Sequence, residues 1–326
     1  MRRRDFVKGI VGSAVACPLL ARAQQPAMPV VGFLSARSRE DFAGLFAAVR
    51  AGLADTGFAE DRNIKIESRW ANDHYDRLPS LARELVAQRV AVILTSGVAA
   101  GLAAKAATSA IPVVFMIGFD PVEYGLVSSL NRPTGNVTGL AVLSNTLEPK
   151  QLQLLHEVVP TAKLVGFLAN PTNPGVESDT RVMQSAASTT GQEIVVVNAS
   201  NDGEIDTAFE ALTQQHAQAL LIMADPFLNS RPDKIVGLAA RYAMPTMYPL
   251  REFPKAGGLM SYGTELANAL RQVGIYGGKI LKGAEPADLP VQQSVKVEFV
   301  LNLKTARTLG LTVPTALLTT ADEVIE

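Results

Sequence analysis

The chain repeats itself. Val31-Gly32-Phe33-Leu34 recurs as Val165-Gly166-Phe167-Leu168, and three further echoes follow in the same order. Ile64-Lys65-Ile66-Glu67 is answered by Ile194-Val195-Val196-Val197, and Ala91-Val92-Ile93-Leu94-Thr95 by Ala219-Leu220-Leu221-Ile222-Met223. Ile111-Pro112-Val113-Val114-Phe115 is answered by Met244-Pro245-Thr246-Met247-Tyr248. Each echo is a short apolar run of the kind a strand buried on both faces requires. Segments with helical spacing separate them, such as Asp41 to Leu53, with Phe42, Leu45, Phe46, Val49 and Leu53 on one stripe. Strand and helix alternating at this pitch predict βαβ units, parallel sheets and right-handed crossovers. Two copies predict two similar α/β lobes with a cleft between them, and 326 residues are enough for both.

The predicted elements of the first copy are strands at Val30 to Leu34, Ile64 to Trp70, Val90 to Thr95 and Pro112 to Ile117, with helices at Asp41 to Leu53, Leu78 to Gln88 and Ala99 to Thr108. Asn136 to Leu140 closes that copy, Glu148 to Val159 is the helix entering the second, and the second cycle starts at Leu164. Beyond Gly257 the tail is long enough to revisit both lobes, with a helix over Leu266 to Leu281 and a strand over Val295 to Leu301.

Residues 1–23 read as an export signal. Arg2, Arg3, Arg4 and Lys8 precede an apolar stretch from Gly9 to Leu20, and Ala21-Arg22-Ala23 offers a cleavage site. Arg3-Arg4-Asp5-Phe6-Val7-Lys8 fits a twin-arginine signal, with an Arg-rich general secretory signal as the other reading. Either places the mature chain in the periplasm. Cys17, the one cysteine, lies in that segment, in a poor context for lipid attachment, so the mature chain is expected to have no disulfide and no thiol chemistry. Taking five basic residues and one acidic from 30 and 31 leaves 25 against 30. That balance, with no Lys/Arg run, argues against nucleic acid as a partner.

Ligands of open parallel sheets gather beyond the carboxyl ends of the strands. That rule selects Ser35, Trp70, Thr95, Ser96, Gly97 and Asp120 in the first lobe, and Asn170, Asn173, Asp225, Phe227, Tyr248 and Arg251 in the second. Thr95-Ser96-Gly97 before a helix suits an anionic head group or an ordinary N-cap. Asp120 and Asp225 suit a ligand ammonium or hydroxyl, or a turn. Arg251 suits a carboxylate clamp or a pair with Glu252. Trp70, Phe227, Tyr248 and Tyr262 suit the walls of an aromatic pocket or core packing. His74, His156 and His216 lie far apart, so no metal is expected, and no cofactor motif follows the first strand. With no nucleophile elbow either, an enzyme is not expected.

Several segments resemble a known family. Asp76-Arg77-Leu78-Pro79, Phe119 to Val127, Asn131 to Gly139, Arg251-Glu252-Phe253 and Gly257 to Gly263 are similar to the periplasmic substrate-binding proteins of ABC importers of the tryptophan/tyrosine-binding type. Thr134 departs from the glycine that many relatives carry there. The resemblance runs from Val30 to the C-terminus. It implies the type I periplasmic binding architecture, two Rossmann-like lobes joined by a hinge of several crossovers and closing over one small ligand. The lobes are expected at 29–143 plus 258–290 and at 144–257 plus 291–326. Members with identified ligands bind aromatic amino acids; the proteobacterial branch this sequence resembles is mostly unassigned, so the ligand does not transfer. The pocket loops of the family correspond to Thr95-Ser96-Gly97, Asp120, Asn170 to Asn173 and Asp225 to Phe227, with Arg251 and Tyr262 more loosely. The expected role is a monomeric solute receptor handing a carboxylate-bearing compound to an inner-membrane permease and its ATPase. The alternative is a sensor domain signalling to a membrane partner.

Overall fold

The computed structural model describes residues 28–142, 144–293 and 296–326. The export-signal and Cys17 readings fall outside the described residues. In chain order the elements are β1 (Val30–Ser35), α1 (Ala43–Asp55), β2 (Lys65–Trp70), α2 (Leu78–Ala87), β3 (Val92–Ser96), α3 (Val98–Ala107), β4 (Val113–Ile117), β5 (Val137–Ala141) and α4 (Glu148–Val158). The second cycle holds β6 (Leu164–Ala169), α5 (Val176–Thr190), β7 (Glu193–Asn198), α6 (Asp202–Gln214), β8 (Ala219–Ile222), α7 (Pro226–Asn229), α8 (Pro232–Arg241), β9 (Thr246–Tyr248), α9 (Glu252–Lys255) and β10 (Met260–Thr264). The tail is α10 (Leu266–Leu281), β11 (Gln292–Gln293), β12 (Val297–Asn302), α11 (Leu303–Thr308), α12 (Thr315–Thr320) and β13 (Glu323–Ile325).

The internal repeat is a structural repeat. One sheet runs β11-β5-β4-β3-β1-β2 and the other β13-β12-β10-β9-β8-β6-β7, so β1 to β5 and β6 to β10 take the same order. All pairings among these ten strands are parallel; β12 runs antiparallel to β10, and β13 runs alongside β12 in the same reversed direction. Val31 pairs with Ile66 and Val92, and Val165 with Ile194 and Ala219. In register, therefore, Ile66 matches Ile194 and Val92 matches Ala219, two residues and one residue away from the alignment read in the sequence. The tetrapeptide echo and the β4/β9 echo need no shift.

The repeated glycine has a packing cause. A Cβ on Gly32 would stand 3.1 Å from Val90 Cγ2, and one on Gly166 would stand 2.4 Å from Leu212 Cδ2. In each lobe the first strand is glycine where bulky aliphatic side chains close over it. The sheets are sandwiched by helices over a core of buried aliphatics such as Leu85, Ile93, Leu168, Leu212 and Leu221. A second cluster around Phe33, Phe46 and Val273 seats α10 on α1. That covers both faces, as parallel strands demand.

Two lobe boundaries differ from expectation. Met260 to Thr264 joins the second sheet beside β9, rather than the first lobe, because it is the apolar fifth strand of the second repeat. Gln292 and Gln293 pair with Leu140 and Ala141 of β5, so the chain is still in the first sheet at 293 rather than leaving it at 290. The chain passes between the sheets three times: between β5 and α4, between β10 and α10, and between β11 and β12.

Candidate functional site

The carboxyl ends of both sheets face one another across a cavity of about 70 Å³. From the first lobe its wall takes Arg37 and Phe42 beyond β1, Ser96 and Gly97 at the end of β3, Met116 and Gly118 at the end of β4, and Val142 after β5. From the second come Ala224 and Pro226 after β8, Asn229, Pro249 and Leu250 after β9, and Gly263 and Thr264 on β10. Gln151 on α4 and Leu266 at the start of α10 reach it from the crossovers.

Arg37 is the one charged side chain in this wall. It is 8% exposed, and its Nε has no hydrogen-bond partner among the described residues. Its Nη2 donates to the Asp41 carbonyl at 3.0 Å, and its guanidinium lies 5.4 Å from the Phe42 ring centroid. Burial pulls its pKa down, opposed by the nearby charges of Asp41, Asp73 and Glu252. An orphan N–H on a buried cation is costly unless something accepts from it.

Close by, α3 begins at the wall. Its N-cap, Gly97, has φ +95° and no side-chain cap, so the first-turn amides are left for a ligand or solvent. A Cβ on Gly97 would lie 3.3 Å from Pro226 Cγ, which brings the loops of the two lobes into contact here. Thr95 is fully buried with an unpartnered Oγ1. A guanidinium fork beside a helix N-terminus is suited to a carboxylate.

The remaining sequence-selected residues do other things. Ser35 Oγ accepts the Arg37 backbone N–H at 3.2 Å, so it holds the Arg37 loop. Trp70 stands behind Phe42, with ring centroids 5.8 Å apart, and its Nε1 donates to Ser68 Oγ at 3.0 Å. Asp120 is exposed and accepts from the Val122 N–H at 2.8 Å, which is turn chemistry. Tyr248 is 1% exposed and stacks on Phe253 at 4.7 Å, inside the core. Arg251 is ion-paired with Glu298 at 2.8 Å and with Glu323, a pairing that ties α9 to β12 and β13. Tyr262 packs edge-on against Phe299, and its carbonyl receives Gln151 Nε2 at 2.6 Å.

Asn170, Asn173 and Asp225 are brought together, but they serve one another. Asp225 is fully buried; Asn170 Nδ2 (3.1 Å) and the Leu228 N–H (3.1 Å) donate to Oδ1, and Asn173 Nδ2 (2.8 Å) donates to Oδ2. The fourth donor comes from the other lobe, where Tyr75 O–H reaches Oδ2 at 2.8 Å. Burial raises the Asp225 pKa against these four bonds, and burial followed by the Asp225 charge pushes Tyr75 well above its ordinary value.

Two further bridges join the lobes. Arg231 Nη2 meets Asp73 Oδ2 at 2.8 Å while its Nε holds Asp202 at 2.7 Å. Asn72 and Asp73 both sit in the left-handed region, at φ 51° and 64°, a strained pair that delivers Asp73 to Arg231. Phe119 of the first lobe lies against Gly175 of the second, its Cζ 2.0 Å from where a Cβ would stand. Phe227 is 2% exposed beneath Arg231, whose guanidinium lies 5.0 Å from its ring centroid.

Arg37, Gln151, Asn229 and Thr264 were missed in the sequence. For Arg37 a signal existed, since it lies two residues beyond the end of the first strand. For Gln151 there was none, because a crossover helix places it; Thr264 ends β10, a strand the sequence did not announce.

Doubly wound lobes with their carboxyl ends facing across a walled cavity define a solute-binding protein. Residues 30–325 match the family of ABC transporter substrate binding proteins, and the chain belongs to that family. Its members are substrate-binding proteins rather than enzymes. The curated "Tyrosine-binding protein" of Clostridioides difficile (strain R20291) is 25% identical over 259 residues, 79% of this chain and 74% of that protein. A conserved domain protein from Vibrio cholerae superposes with a TM-score of 0.85 at 24% identity, covering 91% of this chain and 99% of that one. The ABC domain from Streptococcus pneumonia in complex with L-Trp gives 0.82 at 24% identity, with the same coverage. These structural likenesses establish the type I periplasmic binding fold. Among the described residues, no helix is long and apolar enough to cross a membrane, and no cluster of three or more His, Cys, Asp or Glu could hold a metal.

Proposed function

We propose that this protein is the capture component of an ABC importer, and that it closes its two lobes over a small carboxylate-bearing organic solute. The observation that carries the reading is the buried Arg37 guanidinium with an unpartnered Nε, at a wall shared by both lobes. Closure supplies what neither lobe has alone: Arg37 and the α3 N-terminus from one side, Gln151, Asn229 and Thr264 from the other. As it stands the cavity is about half the roughly 150 Å³ that holds a benzene ring. A ring-sized solute therefore requires the lobes to part, the wall side chains to give way and the lobes to re-close, with Tyr75–Asp225 and Asp73–Arg231 breaking and re-forming. The permease would read the closed shape, since a solute favours closure only by contacting both lobes.

A thermal-shift screen of monocarboxylates, aromatic acids and amino acids tests this. A compound present at a hundred times its Kd stabilises by about 2.7 kcal/mol, which is several degrees. Stabilisation should require a free carboxylate and vanish for the matching amide. A screen in which amides do as well as acids, or in which no acid stabilises, refutes the proposal.

A further inference from the structure

The cavity wall has a cation and no anion. Of its polar side chains, Arg37 is charged and Ser96, Ser144, Gln151, Asn229 and Thr264 are neutral; the rest is apolar or glycine. The nearby acids lie outside this wall. Asp225 is fully buried under four donors. Asp41 and Glu252 lie past Arg37, around an outer opening that shares Arg37, Asn229 and Leu250 with this wall. Asp73 is held by Arg231 at 2.8 Å. Several wall carbonyls are occupied too: Met116 by the Gly97 N–H at 2.9 Å, Gly97 by the Gly101 N–H at 3.1 Å, and Val142 by Thr264 Oγ1 at 3.4 Å.

A zwitterionic amino acid brings an ammonium that must find an anion or several carbonyls once water is expelled. This wall offers no anion, and its one buried side-chain acceptor without a partner among the described residues is Asn229 Oδ1, a single neutral oxygen. We propose that the solute is a carboxylate without an α-amino group, and that the site discriminates against the corresponding amino acid. The proposal rests on the carboxylate reading of the Arg37 site above and narrows it. Arg37 would take the carboxylate through its fork, the α3 amides would support the same charge, and Met116, Val142, Leu147 and Leu250 would cover the apolar body.

The test is calorimetry of the purified chain with pairs differing only in the α-amino group: 3-phenylpropionate against phenylalanine, indole-3-propionate against tryptophan, and 4-methylpentanoate against leucine. The deamino acid should bind roughly tenfold or more tightly in whichever pair fits by size. Its binding should fall by a similar factor or more in Arg37→Met, while Asp41→Asn and Glu252→Gln leave the preference unchanged. Amino acids binding more tightly, with Arg37→Met still abolishing binding, would overturn this inference and leave the carboxylate site intact. A wild-type preference for the amino acid that is lost in Asp41→Asn, Glu252→Gln or Glu148→Gln would overturn it by showing where an ammonium sits. No binding in any pair, or binding indifferent to Arg37→Met, would overturn both readings.

Discussion

Replacing Arg37 by methionine should make the unliganded protein more stable and at the same time ruin capture. In the structure the guanidinium is 8% exposed, its Nε has no partner, and its one backbone acceptor is the Asp41 carbonyl at 3.0 Å. Desolvating such an ion costs several kcal/mol, and the orphan N–H adds to that cost. Methionine forfeits one charge-assisted hydrogen bond, about 1.5–3 kcal/mol, and the contact with Phe42, about 0.5–2 kcal/mol. The balance favours the methionine variant by about 1 kcal/mol, and a domain pair of this size should melt about 2 °C higher. Ligand binding moves the other way. Two bonds from the fork to a carboxylate, at about 1.5–3 kcal/mol each, make the loss a hundredfold or more. Arg37→Lys should fall between, because it keeps the charge and loses the fork. Scanning calorimetry of the free protein and titration with the best carboxylate read both effects. A variant that melts several degrees lower and binds normally would show that Arg37 is structural, and the site assignment would fail.

Tyr75→Phe removes one interlobe hydrogen bond to Asp225, worth about 1.5–3 kcal/mol to the closed form; ligand dissociation should accelerate ten- to a hundredfold, measurable by stopped flow. Glu148 and Asp179 form a buried acidic pair in the second lobe. Burial, reinforced by neighbouring carboxylate charge, raises both, Asp179 to about 7 and Glu148 well above its ordinary value. Raised carboxyl pKa values favour the protonated fold, so this stability is complete below about pH 4 and is lost as pH rises through about 7. Glu148→Gln should flatten that decline in denaturant titrations between pH 5 and pH 8. Gly166→Ala, whose Cβ would stand 2.4 Å from Leu212, should cost more than Gly32→Ala, at 3.1 Å from Val90; about 1–3 kcal/mol for the former is expected in urea unfolding.

The repeat and the parallel βαβ build of two lobes were legible in the sequence; the strand order was not. Apolar runs, glycines and βαβ pitch are local signals, and the rule that ligands sit at strand carboxyl ends is topological. Which side chains face the cavity was not legible, because orientation depends on remote partners. Arg251 looked like a clamp beside Glu252, yet Glu298 and Glu323, strands away, claim its guanidinium. Tyr248 looked like a pocket wall until Phe253 stacked on it. Asn170, Asn173 and Asp225 were chosen together, and they do assemble, as a buried node tied to Tyr75 of the other lobe. Gln151 enters the wall from the crossover helix α4, and Thr264 from the end of β10, a strand whose place beside β9 only the fold reveals.

Small-angle scattering on the wild-type chain, titrated with whichever carboxylate of the matched pairs binds most tightly, tests the lobe-closure account most directly. The radius of gyration should contract on saturation in wild type and stay fixed in Arg37→Met. An envelope unchanged at saturating ligand, with binding confirmed by calorimetry, would contradict capture by two lobes closing on a solute.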